Sequence, residues 1–171
     1  PQHGNWPDFR DSSKAADADP SFMVAWCHGA PGIALGRTCL WGTELWDQQC
    51  EEEIKIAVQT TVAHSEPRMD HLCCGGLGLM AVLEAAVSGP WCLERETRAM
   101  AAQKADRYRA SVLERCSSGR LDLRCFQTQE GSLFLPGLMT GVSGMGLALI
   151  NDQKARLTLW NLMSAGLYPH Q

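Results

Sequence analysis

The sequence predicts an all-α fold, on three observations. Several long segments place apolar residues at the three- to four-residue spacing of a helix face. No segment shows the sustained alternation of apolar and polar residues that is typical of strands. A Gly-x-x-Gly motif also occurs three times, each time directly before an apolar run, as expected for a chain built from repeated helical units.

The chain begins with a predicted loop over residues 1–20, which are polar and interrupted by Pro7 and Pro20. Residues 21–171 are predicted to form the helical domain. Its first strongly amphipathic helix is expected over 48–64, with acidic residues in its first turns, where the helix dipole favours them. The apolar face of this helix comprises Ile54, Ala57, Val58 and Val62.

Buried and exposed helices are predicted to alternate after that point. Residues 77–87 are almost wholly apolar, which indicates an inner helix, and Ser88-Gly89-Pro90 should end it. Residues 94–115 are highly charged but keep one apolar face, so they indicate an outer helix. That face consists of Ala101, Ala105, Tyr108 and Val112. Residues 145–150 and 154–167 are predicted to repeat the pair.

Composition, net charge and the N-terminal residues indicate the class of protein and argue against nucleic-acid binding and membrane insertion. The 171 residues are 45% hydrophobic, enough for one domain with its own core. The net charge of −4, without any Lys/Arg block, argues against nucleic-acid binding. No apolar run is long enough to span a membrane. The start Pro-Gln-His-Gly-Asn resembles neither an initiating methionine nor a secretory leader, so we expect a fragment of a longer cytoplasmic protein.

The three glycine motifs align without gaps. Their segments are CHGAPGI at 27–33, CCGGLGL at 73–79 and MTGVSGM at 139–145. Each motif is predicted to mark the start of an inner helix. We expect Gly32, Gly78 and Gly144 to lie where a positive φ or close backbone packing excludes a side chain.

Two of these motifs also carry cysteines. Cys27 and Cys73 occupy the same slot, two residues before the first glycine, and Cys74 occupies the next slot. If the inner helices lie side by side, three sulfurs converge at one end of the bundle. Zn²⁺ prefers such thiolates, and three protein ligands leave the fourth position open for catalysis. Helix N-termini should favour the thiolate form.

The spacing alone leaves an alternative open, because Cys73 and Cys74 could equally be inert core thiols. Eight cysteines without an export signal favour a metal or catalytic role over disulfides, as in a reducing compartment. The cysteines outside the repeat frame are predicted to be structural; they are Cys39, Cys50, Cys92, Cys116 and Cys125.

Two histidines adjoin the predicted ligands. His28 follows Cys27, and His71 lies two residues before Cys73. Either could donate a proton or orient a ligand, and either could simply hydrogen-bond the backbone. We select His28 as the candidate catalytic residue. Trp26 is expected to be a core residue rather than a platform for substrate.

Taken together, the motifs resemble the LanC-type lanthionine cyclases. The similarity lies in AWCHGAPGI at 25–33, HLCCGG at 71–76 and PGLMTG at 136–141, within a match over about 22–150. The Cys-Cys-Gly version and Asn5-Trp6-Pro7-Asp8 look most like the C-terminal cyclase domain of class II lanthipeptide synthetases, the LanM proteins.

This resemblance implies the C-terminal part of an α/α toroid, a double ring of helices, with one Zn²⁺ held by Cys27, Cys73 and Cys74. The implied reaction adds a cysteine thiol of a dehydrated precursor peptide to dehydroalanine or dehydrobutyrine, as in lantibiotic maturation. The implied partners are that peptide and the upstream remainder of the synthetase. An alternative is a LanC-like module that binds zinc and peptide without catalysis; another is a plain helical repeat scaffold.

The chain also departs from the family pattern. It shows three repeat starts, fewer than a full ring needs, and Met23 lies where stand-alone members tend to have an arginine. The family's acid-base histidine and aspartate come from an earlier region, so we expect them, and any ATP-dependent dehydration, upstream of Pro1.

Overall fold

The computed structural model of the chain describes residues 3–9, 21–117, 122–129 and 131–150. Five helices dominate this part of the chain: α1 (Ala30–Thr38), α2 (Gln48–Ala63), α3 (Gly76–Ser88), α4 (Arg95–Cys116) and α5 (Val142–Leu149). The predicted helix over 154–167 lies outside the described residues.

Within the described ranges three short antiparallel ribbons accompany the helices, so this part of the fold is mainly helical rather than strictly all-α. The strands are β1 (Pro7–Asp8) with β2 (Ser21–Phe22), β3 (Val24–Ala25) with β4 (His28–Gly29), and β5 (Phe126–Thr128) with β6 (Gly131–Leu133). Strands of two or three residues are too short to produce a visible alternation of apolar and polar residues, which is why the sequence pattern did not reveal them.

The helices pack in two layers. Helices α1, α3 and α5 lie side by side, with α3 contacting both neighbours, while α2 packs on α1 and α4 packs on α3. The inner helix α3 is buried along most of its length. The outer helix α4 buries only one face, and the predicted residues Ala101, Ala105, Tyr108 and Val112 all belong to it. The alternation of inner and outer helices is therefore confirmed.

Helix boundaries follow from local chemistry. Asp47 begins α2, because its side chain accepts a hydrogen bond from the Cys50 amide at 2.9 Å. The inner helix α3 ends at Ser88, before Gly89 and Pro90 as predicted. Its last carbonyls are satisfied from outside the helix: Trp91 donates its indole N–H to Ala86, and Arg98 donates to Val87.

The glycine motifs start α1, α3 and α5, as the sequence predicted. Their first glycines, Gly29, Gly75 and Gly141, are the N-cap residues. The last of these helices begins earlier than expected, at Val142 instead of Met145. The motif's second glycine consequently lies inside the first helical turn, and the apolar run is only the later part of the helix.

Candidate metal centre

The cysteines of the first two motifs lie in the turns that precede their helices. Cys27 occupies the tight turn between β3 and β4, where Ala25 pairs with His28. Cys73 and Cys74 lie in the turn before α3. Because α1 and α3 are neighbours in the inner layer, these two turns meet at the same end of the helices.

The three sulfurs form a compact cluster. The Sγ atoms of Cys27, Cys73 and Cys74 all lie within 4.8 Å of one another. The Sγ of Cys74 is central, 3.4 Å from that of Cys27 and 3.3 Å from that of Cys73. All three side chains are half-buried. Across the described ranges, no other group of three or more His, Cys, Asp or Glu residues is arranged to hold a metal ion.

Glycine holds each of these turns close to the helix that follows. A Cβ on Gly32 would lie 2.3 Å from the carbonyl oxygen of Trp26. The same atom on Gly78 would lie 1.8 Å from that of Leu72, and on Gly144 1.8 Å from that of Leu138. In every repeat the carbonyl oxygen that lies against the second glycine belongs to the residue immediately before the first cysteine slot. The second glycine therefore sets where that slot lies relative to the helix.

Close packing, rather than a positive φ, explains those three glycines. Among the motif glycines, positive φ occurs only at Gly29, with φ 85°, where a Cβ would also lie 1.9 Å from the carbonyl oxygen of Met23. The expectation of close backbone packing is thus confirmed for Gly32, Gly78 and Gly144. The alternative of a left-handed backbone does not hold for them.

Residue Asn5 ties the first motif to the N-terminal segment. Its Oδ1 accepts hydrogen bonds from the Ala30 amide at 2.8 Å and the Trp6 amide at 2.9 Å, while its Nδ2 donates to the carbonyl oxygen of Met23 at 2.9 Å. Asn5 is buried. It supplies the N-terminal hydrogen bond that Gly29, as N-cap of α1, cannot make with a side chain.

The electrostatics of the cluster oppose three simultaneous thiolates in the absence of a cation. Burial raises the pKa of the Cys74 thiol well above its ordinary range, and hydrogen bonds with the sulfurs of Cys73 and Cys27 raise it further. These effects act against the preference for thiolate that we expected from the helix N-terminus. A divalent cation would reverse the balance by neutralising the crowded sulfurs.

The residues present fit Zn²⁺. In a tetrahedral zinc site with zinc–sulfur distances of ~2.3 Å, two sulfurs are roughly 3.8 Å apart. The Sγ of Cys74 lies slightly closer than this to its two neighbours, at 3.4 and 3.3 Å, and all three sulfurs lie within 4.8 Å of one another. Three soft thiol donors also suit zinc better than Mg²⁺ or Ca²⁺, which take oxygen ligands. The cluster could therefore hold a metal.

The two neighbouring histidines differ in their surroundings. His71 is fully buried, stacks on the ring of Phe126 with centroids 4.9 Å apart, and accepts a hydrogen bond from the Cys74 amide at its Nδ1, 3.2 Å away. Burial lowers its pKa, and the nearby Asp70 only partly opposes this. His71 thus orients backbone rather than donating protons to solvent. His28 is half-buried in β4 and is not in the sulfur cluster.

Sequence reasoning missed the polar group beneath this turn. Asp70 is fully buried and binds side chains of the outer helix α4. A charged residue three positions before a cysteine does not stand out in a single sequence. The one available signal was the Asp-His pair directly before the Leu-Cys-Cys segment that leads into an inner helix.

The described part of the chain contains no helix long and apolar enough to cross a membrane. In a comparison with known families, a family model described as lanthionine synthetase C-like protein aligns with residues 1–163. Neither the curated proteins nor the solved structures contain a significant match to the chain.

Proposed function

We propose that this chain, which belongs to the lanthionine synthetase C-like family, is a zinc-dependent cyclase domain that forms thioether rings in a peptide. The observation that carries the proposal is the sulfur cluster: Cys27, Cys73 and Cys74 come from two separate repeats and have their sulfurs within 4.8 Å of one another. Nearly the whole chain matches the family model, so the cluster lies within the region that the family shares.

In this proposal the three cysteines hold Zn²⁺. A zinc ion bound by three protein ligands keeps one position for a substrate and supplies a Lewis acid that lowers the pKa of a bound thiol. The two turns place the ligands at the open end of the inner helices, where all three side chains remain half-exposed. A peptide thiol can therefore approach this end without opening the helical core.

The proposed reaction needs no external oxidant or co-substrate. The S–H bond of a peptide cysteine is broken, its sulfur bonds to the β-carbon of dehydroalanine or dehydrobutyrine, the carbon–carbon double bond becomes a single bond, and one proton is added at the α-carbon in place of the thiol proton. The peptide mass is therefore unchanged. The chain's own part would be to hold the metal with three half-buried sulfurs. His28 is our candidate for the group that handles the proton, since it directly follows Cys27.

The finer assignments also belong to this proposal. The Cys-Cys-Gly motif at 73–75 supports a cyclase domain of the LanM type, and the two layers of alternating inner and outer helices support one sector of an α/α toroid. The corresponding partners are a dehydrated precursor peptide and the remainder of the synthetase. A non-catalytic zinc and peptide binding module remains the competing function.

An assay of thiol consumption tests the proposal. The zinc-loaded chain is incubated with a dehydrated precursor peptide, and the remaining cysteine thiols are counted by alkylation and mass spectrometry. Because the acid-base residues of the family are expected upstream of Pro1, we expect this chain alone to consume peptide thiols far more slowly than a complete cyclase, with no change in peptide mass. The slow loss should require zinc and should be absent with Cys74→Ala. Zinc and peptide binding with all thiols retained, even when the upstream region is supplied, would favour the non-catalytic module, and thiol loss that is independent of zinc would contradict the proposal.

A further inference from the structure

The turn that carries Cys73 and Cys74 contains a buried charge. Asp70 is fully buried, three residues before Cys73. Removing a carboxylate from water is costly unless hydrogen bonds and an opposite charge compensate for it. Asp70 has both hydrogen bonds and an opposite charge, and the groups that provide them belong to segments distant from it in sequence.

Two side chains of α4 bind the carboxylate. The guanidinium of Arg115 donates to both oxygens, at 2.8 Å to Oδ1 and 2.7 Å to Oδ2, and the hydroxyl of Tyr108 donates to Oδ1 at 2.9 Å. Tyr108 also donates to the carbonyl oxygen of Met69 at 3.2 Å. Its ring fills the space above Gly76, where a Cβ would lie 1.7 Å from the ring. The outer helix α4 thus contacts this turn directly, through hydrogen bonds to Asp70 and packing against Gly76.

The backbone of the following segment completes the site around Asp70. The amide of Arg124 donates to Oδ2 at 2.6 Å, and the amide of Asp70 donates in return to the carbonyl oxygen of Arg124 at 2.9 Å. On the other side, the carbonyl of Asp70 accepts from the Leu77 amide in the first turn of α3 at 3.2 Å. Asp70 therefore links α4, α3 and the strand segment that begins at Phe126.

This linkage reaches the sulfur ligands through His71. His71 follows Asp70, is held against Phe126, and accepts the hydrogen bond of the Cys74 amide. Within the described residues its buried Nε2 has no hydrogen-bond partner, so nothing on that side competes with the contact to Cys74. Movement of Asp70 would thus reach Cys74 through two links, the peptide bond to His71 and the hydrogen bond between His71 and the Cys74 amide.

We infer that Asp70 is a positioning residue for the metal centre: held by Arg115 and Tyr108 of the outer helix, it fixes the turn that presents Cys73 and Cys74. The inference rests on the proposed role of these cysteines as zinc ligands. Asp70 does not touch the metal position itself. Groups that orient ligands in this way typically change metal affinity by about 10–100-fold when they are removed.

A second buried ion pair provides a matched control. Arg109 of α4 binds Glu84 of α3, and both side chains are largely buried, as are Arg115 and Asp70. Arg109 also donates to the carbonyl oxygen of Ala148. Both pairs join α4 to the inner layer, but the hydrogen bonds that Arg109 donates within the described residues go to Glu84 and Ala148 rather than to the cysteine turn. Any purely structural loss should therefore affect Asp70→Asn and Glu84→Gln alike.

The experiment compares zinc affinity and ligand geometry in Asp70→Asn, Glu84→Gln and Tyr108→Phe. Affinity is measured by competition with a chromophoric chelator, geometry by the sulfur-to-cobalt charge-transfer band of the Co²⁺-substituted chain, and folding by thermal denaturation. We expect both carboxylate variants to melt at lower temperature. Only Asp70→Asn should lose affinity, by roughly 10–100-fold, and shift the cobalt band. Tyr108→Phe, which removes the hydroxyl contacts with Asp70 and Met69 but keeps Arg115, should show a smaller change in the same direction.

Each outcome bears on the inference. Wild-type zinc affinity and an unchanged cobalt band in folded Asp70→Asn would overturn it, as would equal losses in Glu84→Gln. If Asp70→Asn does not fold, Tyr108→Phe decides, and a wild-type spectrum in that variant overturns the inference. A wild-type chain that binds neither Zn²⁺ nor Co²⁺ would overturn the proposed metal function, and the positioning role with it.

Discussion

The backbone amide of Cys73 donates a hydrogen bond to the carbonyl oxygen of Met139, 2.8 Å away. Met139 occupies, in the third repeat, the slot that Cys73 occupies in the second. The third repeat contributes no thiol to the cluster, since its two slots hold Met139 and Thr140. It still fixes the cysteine turn through its backbone. The turn of the third repeat thus helps to hold Cys73 in place although it carries no cysteine of its own.

The first prediction concerns metal content. We expect one Zn²⁺ per chain in protein purified without added metal, because three crowded sulfurs are stabilised by a cation. Single replacement of Cys27, Cys73 or Cys74 by Ala should abolish tight binding. Elemental analysis and chelator competition measure both effects.

Cysteines outside the cluster serve as controls for that prediction. Cys39 is buried and Cys116 is half-buried, and neither belongs to the sulfur cluster. Cys39→Ala and Cys116→Ala should therefore retain the zinc content of the wild-type chain. Folded wild-type protein with almost no zinc, or the same loss in all five variants, would contradict the ligand assignment.

The second prediction concerns Gly78. An alanine there would place its Cβ 1.8 Å from the carbonyl oxygen of Leu72, so the cysteine turn and α3 must separate. We expect Gly78→Ala to lower the free energy of unfolding by about 1–3 kcal/mol, the range for overpacking, and to weaken zinc binding with it. Valine, with more bulk, should be worse.

Gly146 is the matched control. It is exposed within α5, and a Cβ there would meet no atom within 4 Å. Gly146→Ala should raise stability by about 0.5–1 kcal/mol, because alanine loses less backbone entropy than glycine in a helix. Equal melting temperatures for Gly78→Ala and wild type, with zinc retained, would show that the motif is merely a loop.

Local patterns explain why much of the fold could be predicted. The apolar spacing in α2 and α4 is a property of each segment alone, and the observed bounds differ from the predicted ones by at most one residue. The meeting of Cys27 with Cys73 and Cys74 could also be predicted, because the equivalent slots of Cys27 and Cys73 converge when the inner helices lie side by side, and Cys74 adjoins Cys73.

Contacts between distant residues explain the rest. Asn5 reaches Ala30, and Asp70 reaches Arg115, across stretches of sequence that carry no periodic signal. Glu53 is a further case. It was interpreted as an acid favoured by the helix dipole, but in the structure it is buried and paired with Arg37 of α1. Hydrogen-bond geometry, rather than residue type or spacing, decides such partners.

The third prediction is the pH dependence of the Arg37–Glu53 pair. Burial alone would raise the pKa of Glu53, but hydrogen bonds from Arg37 and Gln49 lower it below its ordinary value of 4.5. The unfolded chain therefore binds the proton more readily, and the pair's contribution to stability is present above pH 4.5 and is lost as the pH falls further. Solvent screening at the partly exposed Arg37 limits this contribution to about 1 kcal/mol.

Chemical denaturation at pH 7 and pH 3 measures this effect. Glu53→Gln should be less stable than wild type at pH 7, and the difference should shrink at pH 3. Glu52→Gln is the control, because Glu52 is exposed and its side-chain partner is Gln48 of the same helix. It should have little effect at either pH. A Glu53→Gln difference that is constant between the two pH values would contradict the assignment.

The last prediction is that Asn5, although distant from the sulfurs in sequence, supports the position of Cys27. Its side chain binds Met23 on one side of the cysteine turn and Ala30 on the other, so it holds both ends of the segment that presents Cys27. Asn5→Ala removes three hydrogen bonds to backbone groups, of which the one to the Ala30 amide is buried, and should lower stability by roughly 1–3 kcal/mol. Thr60→Val is the matched control, because Thr60 anchors the same N-terminal segment by a 2.6 Å hydrogen bond to the carbonyl oxygen of Gly4 but does not touch the turn. Both variants should melt at lower temperature, whereas zinc affinity, measured by chelator competition, should fall only in Asn5→Ala. If Asn5→Ala binds zinc as tightly as Thr60→Val does, Asn5 stabilises α1 alone and the geometry at Cys27 is set by Gly29 and Gly32.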